Sequence, residues 1–189
     1  MGGKNIAEII GVIILAACLG TTCKSVSKST TTVSPALQKY EITSYMVFPF
    51  LSEGGTYAGD YPLVKDNGAE KITRLVRARL TEILPYVIDR YTTYTAIRDV
   101  ESLLKDDGEN YNELLRGVSD ADALVVGKAT DYNPSRVGFF IKCVHLRDEE
   151  TLWTSEMEVD VSGTTLDIEK AADLAVEKMA EELENKLGL

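Results

Sequence analysis

The chain has one histidine, one tryptophan, three cysteines and five prolines among 189 residues. A single imidazole excludes a metal site built on several histidines, and a serine triad would have to recruit that one ring. Three cysteines are too few to staple a disulfide miniprotein. Basic side chains are also scarce, 20 against 30 acidic ones for a net charge of -10, which argues against nucleic acid or anionic lipid as a partner. No apolar run reaches the roughly twenty residues that a membrane-spanning helix needs. What is present is an ordinary globular composition, 44% hydrophobic and 26% charged, at a length that suits one domain.

The start is an address rather than part of the fold. Met1-Gly2-Gly3-Lys4 makes a short basic opening, Glu8 closes that region, and Ile9 to Ala17 is apolar apart from Gly11. A basic stretch, a short apolar run and small residues after it describe a secretory signal over residues 1–17. Residues 18–40 follow, rich in Ser and Thr and poor in apolar side chains. Such a stretch buries too little apolar surface to order itself and reads as a flexible tether. Its lysines, Lys24, Lys28 and Lys39, leave residues 41–189 with 29 acids against 16 bases.

The segment Leu15-Ala16-Ala17-Cys18 resembles the lipobox of bacterial lipoproteins, a branched apolar residue and two small ones before the cysteine. The resemblance implies cleavage after Ala17 and acylation of Cys18, anchoring the protein to a membrane. Cys23 is the alternative, although Gly20-Thr21-Thr22-Cys23 lacks the apolar residue at the matching place. Leu19, standing where Asp would retain an enteric lipoprotein in the inner membrane, resembles an outer-membrane sorting signal facing the periplasm, where the source has an outer membrane.

Residues 41–189 read as a single α/β domain, a mixed sheet of about five strands with helices packed on it. Ile42 to Phe50 is β-branched and aromatic and reads as a buried strand. Ile72, Leu75, Val76, Leu80 and Ile83 recur at helical spacing over residues 69–84, and Pro85 ends that helix. Tyr86 to Ile88 begins a second strand that runs on through Arg90-Tyr91-Thr92, and residues 96–104 and 110–118 read as short helices. Ala123 to Thr130 is a third strand. Val137 to Leu146, apolar on both faces, is a central fourth. From Trp153 to Val161 apolar and polar residues alternate, giving a strand with one face in the core. A long amphipathic helix over residues 167–187 closes the chain, with Ile168, Ala172, Ala175, Met179 and Leu183 inward and Asp167 as its cap.

Chemistry-bearing motifs are few. Gly54-Gly55-Thr56-Tyr57-Ala58-Gly59 has the glycine spacing of a phosphate loop, but Asp60-Tyr61 stands where Lys and Ser/Thr must be, which excludes a nucleotide. Tyr57, Tyr61 and Leu63 give this loop contact value for a protein partner. Cys143 and His145 lie two apart in one strand and share a face, the start of a nucleophilic pair for a thiol-dependent enzyme, or else two core residues. The acidic runs Asp106-Asp107-Gly108-Glu109 and Asp148-Glu149-Glu150 lack the alternating oxygens of a calcium loop, so no metal is expected. One charge contrast points to self-assembly. The first long helix carries Lys71, Arg74, Arg77 and Arg79, and the last carries seven acids against three lysines. A basic face packing on a neighbour's acidic helix, head to tail, would close a ring.

Four landmarks carry a resemblance. They are Met46-Val47-Phe48-Pro49-Phe50; Val76-Arg77-Ala78-Arg79-Leu80 leading to Val87-Ile88-Asp89-Arg90; Ala121-Asp122-Ala123-Leu124-Val125-Val126-Gly127; and Val144-His145-Leu146-Arg147-Asp148 running into Thr151-Leu152-Trp153. Together they resemble the TolB amino-terminal-like superfamily of envelope lipoproteins, which includes the curli-secretion channel lipoprotein CsgG and the activators of penicillin-binding proteins. The resemblance implies a non-enzymatic binding protein without cofactor, serving a secretion, surface-assembly or wall-synthesis complex. The loop over residues 51–67 lacks the alternating strands of a barrel wall, which argues against a pore.

Overall fold

The structure, a computed structural model, describes residues 26–52, 57–58, 61–62, 67–88, 121–162, 164 and 166–189. Its largest contiguous unit is an antiparallel meander. β7 (Ala123–Asn133) turns at Pro134-Ser135 into β8 (Arg136–His145), which turns again into β9 (Thr151–Asp160). β8 is buried along nearly its whole length and lies centrally, as its two apolar faces lead one to expect. β9 buries alternate residues, Trp153, Ser155, Met157 and Val159, and leaves Thr154, Glu156 and Glu158 half-buried.

Two short parallel strands line the other side of β7. β2 (Tyr45–Val47) pairs with Ala123–Val125, and β3 (Leu51–Ser52) pairs with Lys128–Ala129. The single strand expected over residues 42–50 is therefore an interrupted one. Pro49 has no N–H to give to a ladder, so the chain detours there and rejoins the sheet beyond Phe50. β6 (Val87–Ile88) pairs with β2, and β4 (Tyr57–Ala58) pairs with β5 (Tyr61–Pro62) as a separate hairpin.

The seventh strand of the main sheet corrects the tether. β1 (Val26–Val33) lies antiparallel to β9 as the outermost strand, so the sheet runs β1-β9-β8-β7-β2-β6 with β3 beside β7. A 3-10 turn over Pro35–Lys39, capped by Ser34, then carries the chain to the start of β2. Residues 26–40 thus belong to the domain. Hydroxyl contacts supply what apolar burial does not: Thr31 and Ser155 share a buried hydrogen bond of 3.0 Å. Ser29 donates to Glu182 of the last helix, and Ser34 N–H donates to Leu152 O at 2.8 Å.

Both long helices cover one face of this sheet. α1 (Asn67–Ile83) turns Ile72, Val76 and Leu80 inward with no exposed surface. α2 (Ile168–Leu187) does the same with Ala172, Ala175, Met179 and Leu183. Asp167 caps α2, accepting from Lys170 N–H at 2.8 Å, and Gly188 ends it in the left-handed conformation at φ 74°. Met46, Leu124, Val126 and Val144 are buried on the opposite face. The α/β architecture is the expected one, with β1 and β3 added to it. The short helices expected over 96–104 and 110–118, and the run-on of β6 through Thr92, lie outside the described residues.

Candidate functional site

The most tightly built polar feature joins the starts of β2 and β7. Asp122 Oδ2 accepts from Thr43 N–H at 2.9 Å, Thr43 Oγ1 at 2.7 Å, Ser44 N–H at 3.0 Å and Ser44 Oγ at 3.0 Å. Asp122 N–H in turn contacts Ser44 Oγ at 3.0 Å. The hydroxyl and backbone donors of Thr43, with those of Ser44 behind them, hold the carboxyl below the usual range. All the oxygen's capacity is spent inside the chain. The aspartate of the Ala-Asp-Ala-Leu-Val-Val-Gly landmark is therefore a clamp between two strands.

Gly127 of the same landmark meets a ring. A Cβ there would lie 2.6 Å from Phe50, whose side chain is buried and whose N–H donates to Thr73 Oγ1 at 2.8 Å. What approaches this glycine is the aromatic that follows the Pro49 detour.

The thiol and imidazole do not form a catalytic pair. Cys143 is a free cysteine with no exposed surface, facing Trp153 across the ladder, and burial pushes its thiol well above the ordinary value. A thiol held protonated in an apolar core is neither nucleophile nor ligand. The His145 ring instead stacks on Tyr40, with centroids 3.9 Å apart and planes 16° from parallel. His145 Nδ1 lies 3.1 Å from Asp148 Oδ2. Burial, with the carboxylates of Glu150 and Asp148 close by, pushes the Tyr40 phenol up to about 12. Lys39 Nζ adds an ion pair to Glu150 at 3.2 Å. The cluster fastens the segment after β1 to the β8–β9 hairpin. Iodoacetamide should leave Cys143 unmodified in the native protein and label it only after denaturation. Rapid native labelling would restore the enzyme reading.

The basic face of α1 is partly used within the chain. α1 and α2 pack against each other, and Lys71 Nζ lies 3.9 Å from Glu169. Arg77 reaches the carbonyl of Val47 at 3.4 Å, Arg79 pairs with Glu82, and Arg74 is exposed. Lys71 thus meets the acidic helix within the chain. Tyr57 and Tyr61 fall on the β4–β5 hairpin, opposite Pro62 and Ala58. Leu63, the glycines Gly54, Gly55 and Gly59, the Asp106–Glu109 run, Cys18 and Cys23 lie outside the described residues. Among the described residues no helix is long and apolar enough to cross a membrane.

Sequence reasoning missed the partners of Asp122 and the role of β1. The signals were there in Thr43-Ser44 and in the β-branched run Thr30-Thr31-Thr32, but both become meaningful only through residues far along the chain.

No family model matches the chain, and no curated protein matches it. Among solved structures, a PelC dodecamer from Paraburkholderia phytofirmans superposes with a TM-score of 0.51 at 11% identity, covering 82% of this chain and 96% of that one. The hypothetical protein CT253 from Chlamydia trachomatis gives 0.48 at 10% identity over 78% and 96%. The lipoprotein GNA1162 from Neisseria meningitidis gives 0.44 at 18% identity over 77% and 96%. The likeness is one of fold: the chain shares with the PelC subunit an α/β domain that spans nearly the whole of that protein.

Proposed function

We propose that this is a lipid-anchored protein of the cell envelope that works by binding, as a component or accessory of a secretion, surface-assembly or wall-synthesis complex. The observation that carries the reading is Leu15-Ala16-Ala17-Cys18 at the end of a short apolar run, with a folded domain under way by Val26. Cys18 would carry the acyl chains, and several chains together make anchoring effectively permanent. The buried thiol of Cys143 and the four donors held by Asp122 Oδ2 support a role without chemistry of its own. The fold shared with a protein solved as a dodecamer supports self-association as part of that role.

The test is fractionation of cells expressing the full chain. Cys18→Ala should move the protein from the membrane pellet to the soluble fraction or leave it uncleaved, while Cys23→Ala should change neither. Release by Cys23→Ala alone would transfer the anchor to that residue. Retention in the pellet and normal processing with both cysteines replaced would sink the anchor.

A further inference from the structure

β1 is the outermost strand of the sheet and, among the described residues, its strand ladder is with β9 alone. Eight residues long, it offers an outer row of backbone donors and acceptors that invites another strand. Two devices that blunt an edge, a lysine and a register irregularity, sit at its start, at Lys28 and between Val26 and Lys28, whereas Ser29–Val33 carries no proline, no glycine and no charge. The strand's single charge, Lys28, is exposed and pairs with Glu156 of β9 at 2.6 Å.

We propose that β1 is the seam along which two copies of this chain pair, antiparallel, about a two-fold axis at Thr30. The inference deepens the self-association in the proposed function and does not depend on the anchor.

Charge selects the occupant. The acids nearest the edge already have partners, Glu156 in Lys28 and both Glu158 and Asp160 in Arg136 at 3.3 and 3.6 Å. A basic segment would find them engaged, and an acidic one would meet an acidic domain. The strand that fits is uncharged and rich in hydroxyls on both faces, which describes Ser29–Val33 of β1, beside a Lys28 already paired with Glu156. The ring contact expected between basic α1 and a neighbour's acidic α2 is weakened by the pairing of those helices inside one chain.

Register follows from the pleat. Residues directly opposed in an antiparallel pair share a face, so the axis must pass through a residue and not between two. On β1, Lys28, Thr30 and Thr32 are exposed, whereas Ser29, Thr31 and Val33 turn toward the helices. An axis at Thr30 sets Ser29 against the partner's Thr31 on the helix side, and Lys28 against the partner's Thr32 on the open side. Thr30 meets its own copy, and threonine pairs across strands are favourable. The two lysines end up offset by four residues, about 13 Å along the strands. An axis at Ser29 would halve that offset and bring the irregularity between Val26 and Lys28 one residue nearer the axis.

Site-directed cross-linking reads this register directly. In the full-length protein carrying Cys23→Ser, single variants at exposed positions of β1 are oxidised mildly in native membranes or mild detergent. Thr30→Cys should give a covalent dimer within minutes, at least tenfold faster than Thr32→Cys, whose two copies lie four residues apart. Mixing Lys28→Cys chains with Thr32→Cys chains should restore the dimer band that neither gives alone. Circular dichroism of each variant confirms that the fold is retained. Absence of a dimer from folded Thr30→Cys overturns the proposal, as do equal rates at all three positions or ladders beyond a dimer. Cells carrying the Cys18→Ala variant separate this inference from the anchor, because loss of membrane association with cross-linking retained leaves the seam standing.

Discussion

Gly127→Ala should lower the unfolding free energy by about 1–3 kcal/mol, seen as a fall in urea midpoint at unchanged slope. The added methyl would sit 2.6 Å from the ring of Phe50, far inside contact distance. The ring is the far end of a rotatable side chain, but it is only 5% exposed and packs within the hydrophobic core. Moving it also loads the Phe50 N–H to Thr73 bond, through which the detour after β2 is tied to α1. Gly127→Val should cost more, because a branched side chain cannot be cleared by tilting the ring. A cycle with Phe50→Leu gives the decisive reading. If the ring is the obstacle, the double variant should be at least 1 kcal/mol more stable than the sum of the single effects allows, a coupling within the range of contacting pairs. Strict additivity would mean that Gly127 serves some other purpose.

Asp122→Ala should cost about 1–2 kcal/mol at neutral pH, the scale of hydrogen bonds to a charged group reduced for partial exposure. Four donors converge on one oxygen, and all four come from Thr43 and Ser44. Because the folded-state pKa lies below the unfolded one, the carboxylate's contribution is complete above the unfolded value near 3.9 and disappears as pH falls through the folded value. The stability difference between the parent chain and Asp122→Asn should therefore be flat from pH 7 to about 5 and shrink below about 4. A difference that stays constant down to pH 2.5 would show that the charge contributes nothing. Thr43→Val and Ser44→Ala should each reproduce part of the loss, since each removes a hydroxyl donor.

These two residues also show where sequence reading succeeded and stopped. Gly127 was visible in the sequence as the end of a landmark, a glycine inside a strand. Which group approaches it depends on Pro49 breaking the neighbouring strand, a consequence of sheet pairing between segments some eighty residues apart. Asp122 was visible as part of a landmark, but its four donors come from another strand and leave no local pattern. The helices α1 and α2 were legible because a 3.6-residue period and clear stops mark them: Pro85 after α1, Asp167 and Gly188 around α2. β9 was legible because it alternates cleanly between core and solvent. β1 was not, because its inward residues are hydroxyls and the usual apolar alternation is absent. Thr30-Thr31-Thr32 carried the β-branched preference for strands, and the serines around it masked that signal. The thiol and imidazole, correctly placed on one strand, part company for a reason periodicity cannot register: Cys143 ends in the core, while His145 reaches the rim and finds Tyr40.

The early start of β1 also fixes how far the protein can reach. Only eight steps of chain separate Cys18 from Val26, and a fully extended chain advances at most about 3.6 Å per step. An acyl group on Cys18 would therefore leash Val26 within about 29 Å of the lipid, roughly one domain diameter for a chain of this size. Such a protein cannot patrol the envelope on a long line. Anchored in that way, it would work in the layer next to its own membrane, and a client rooted elsewhere would have to be brought to it.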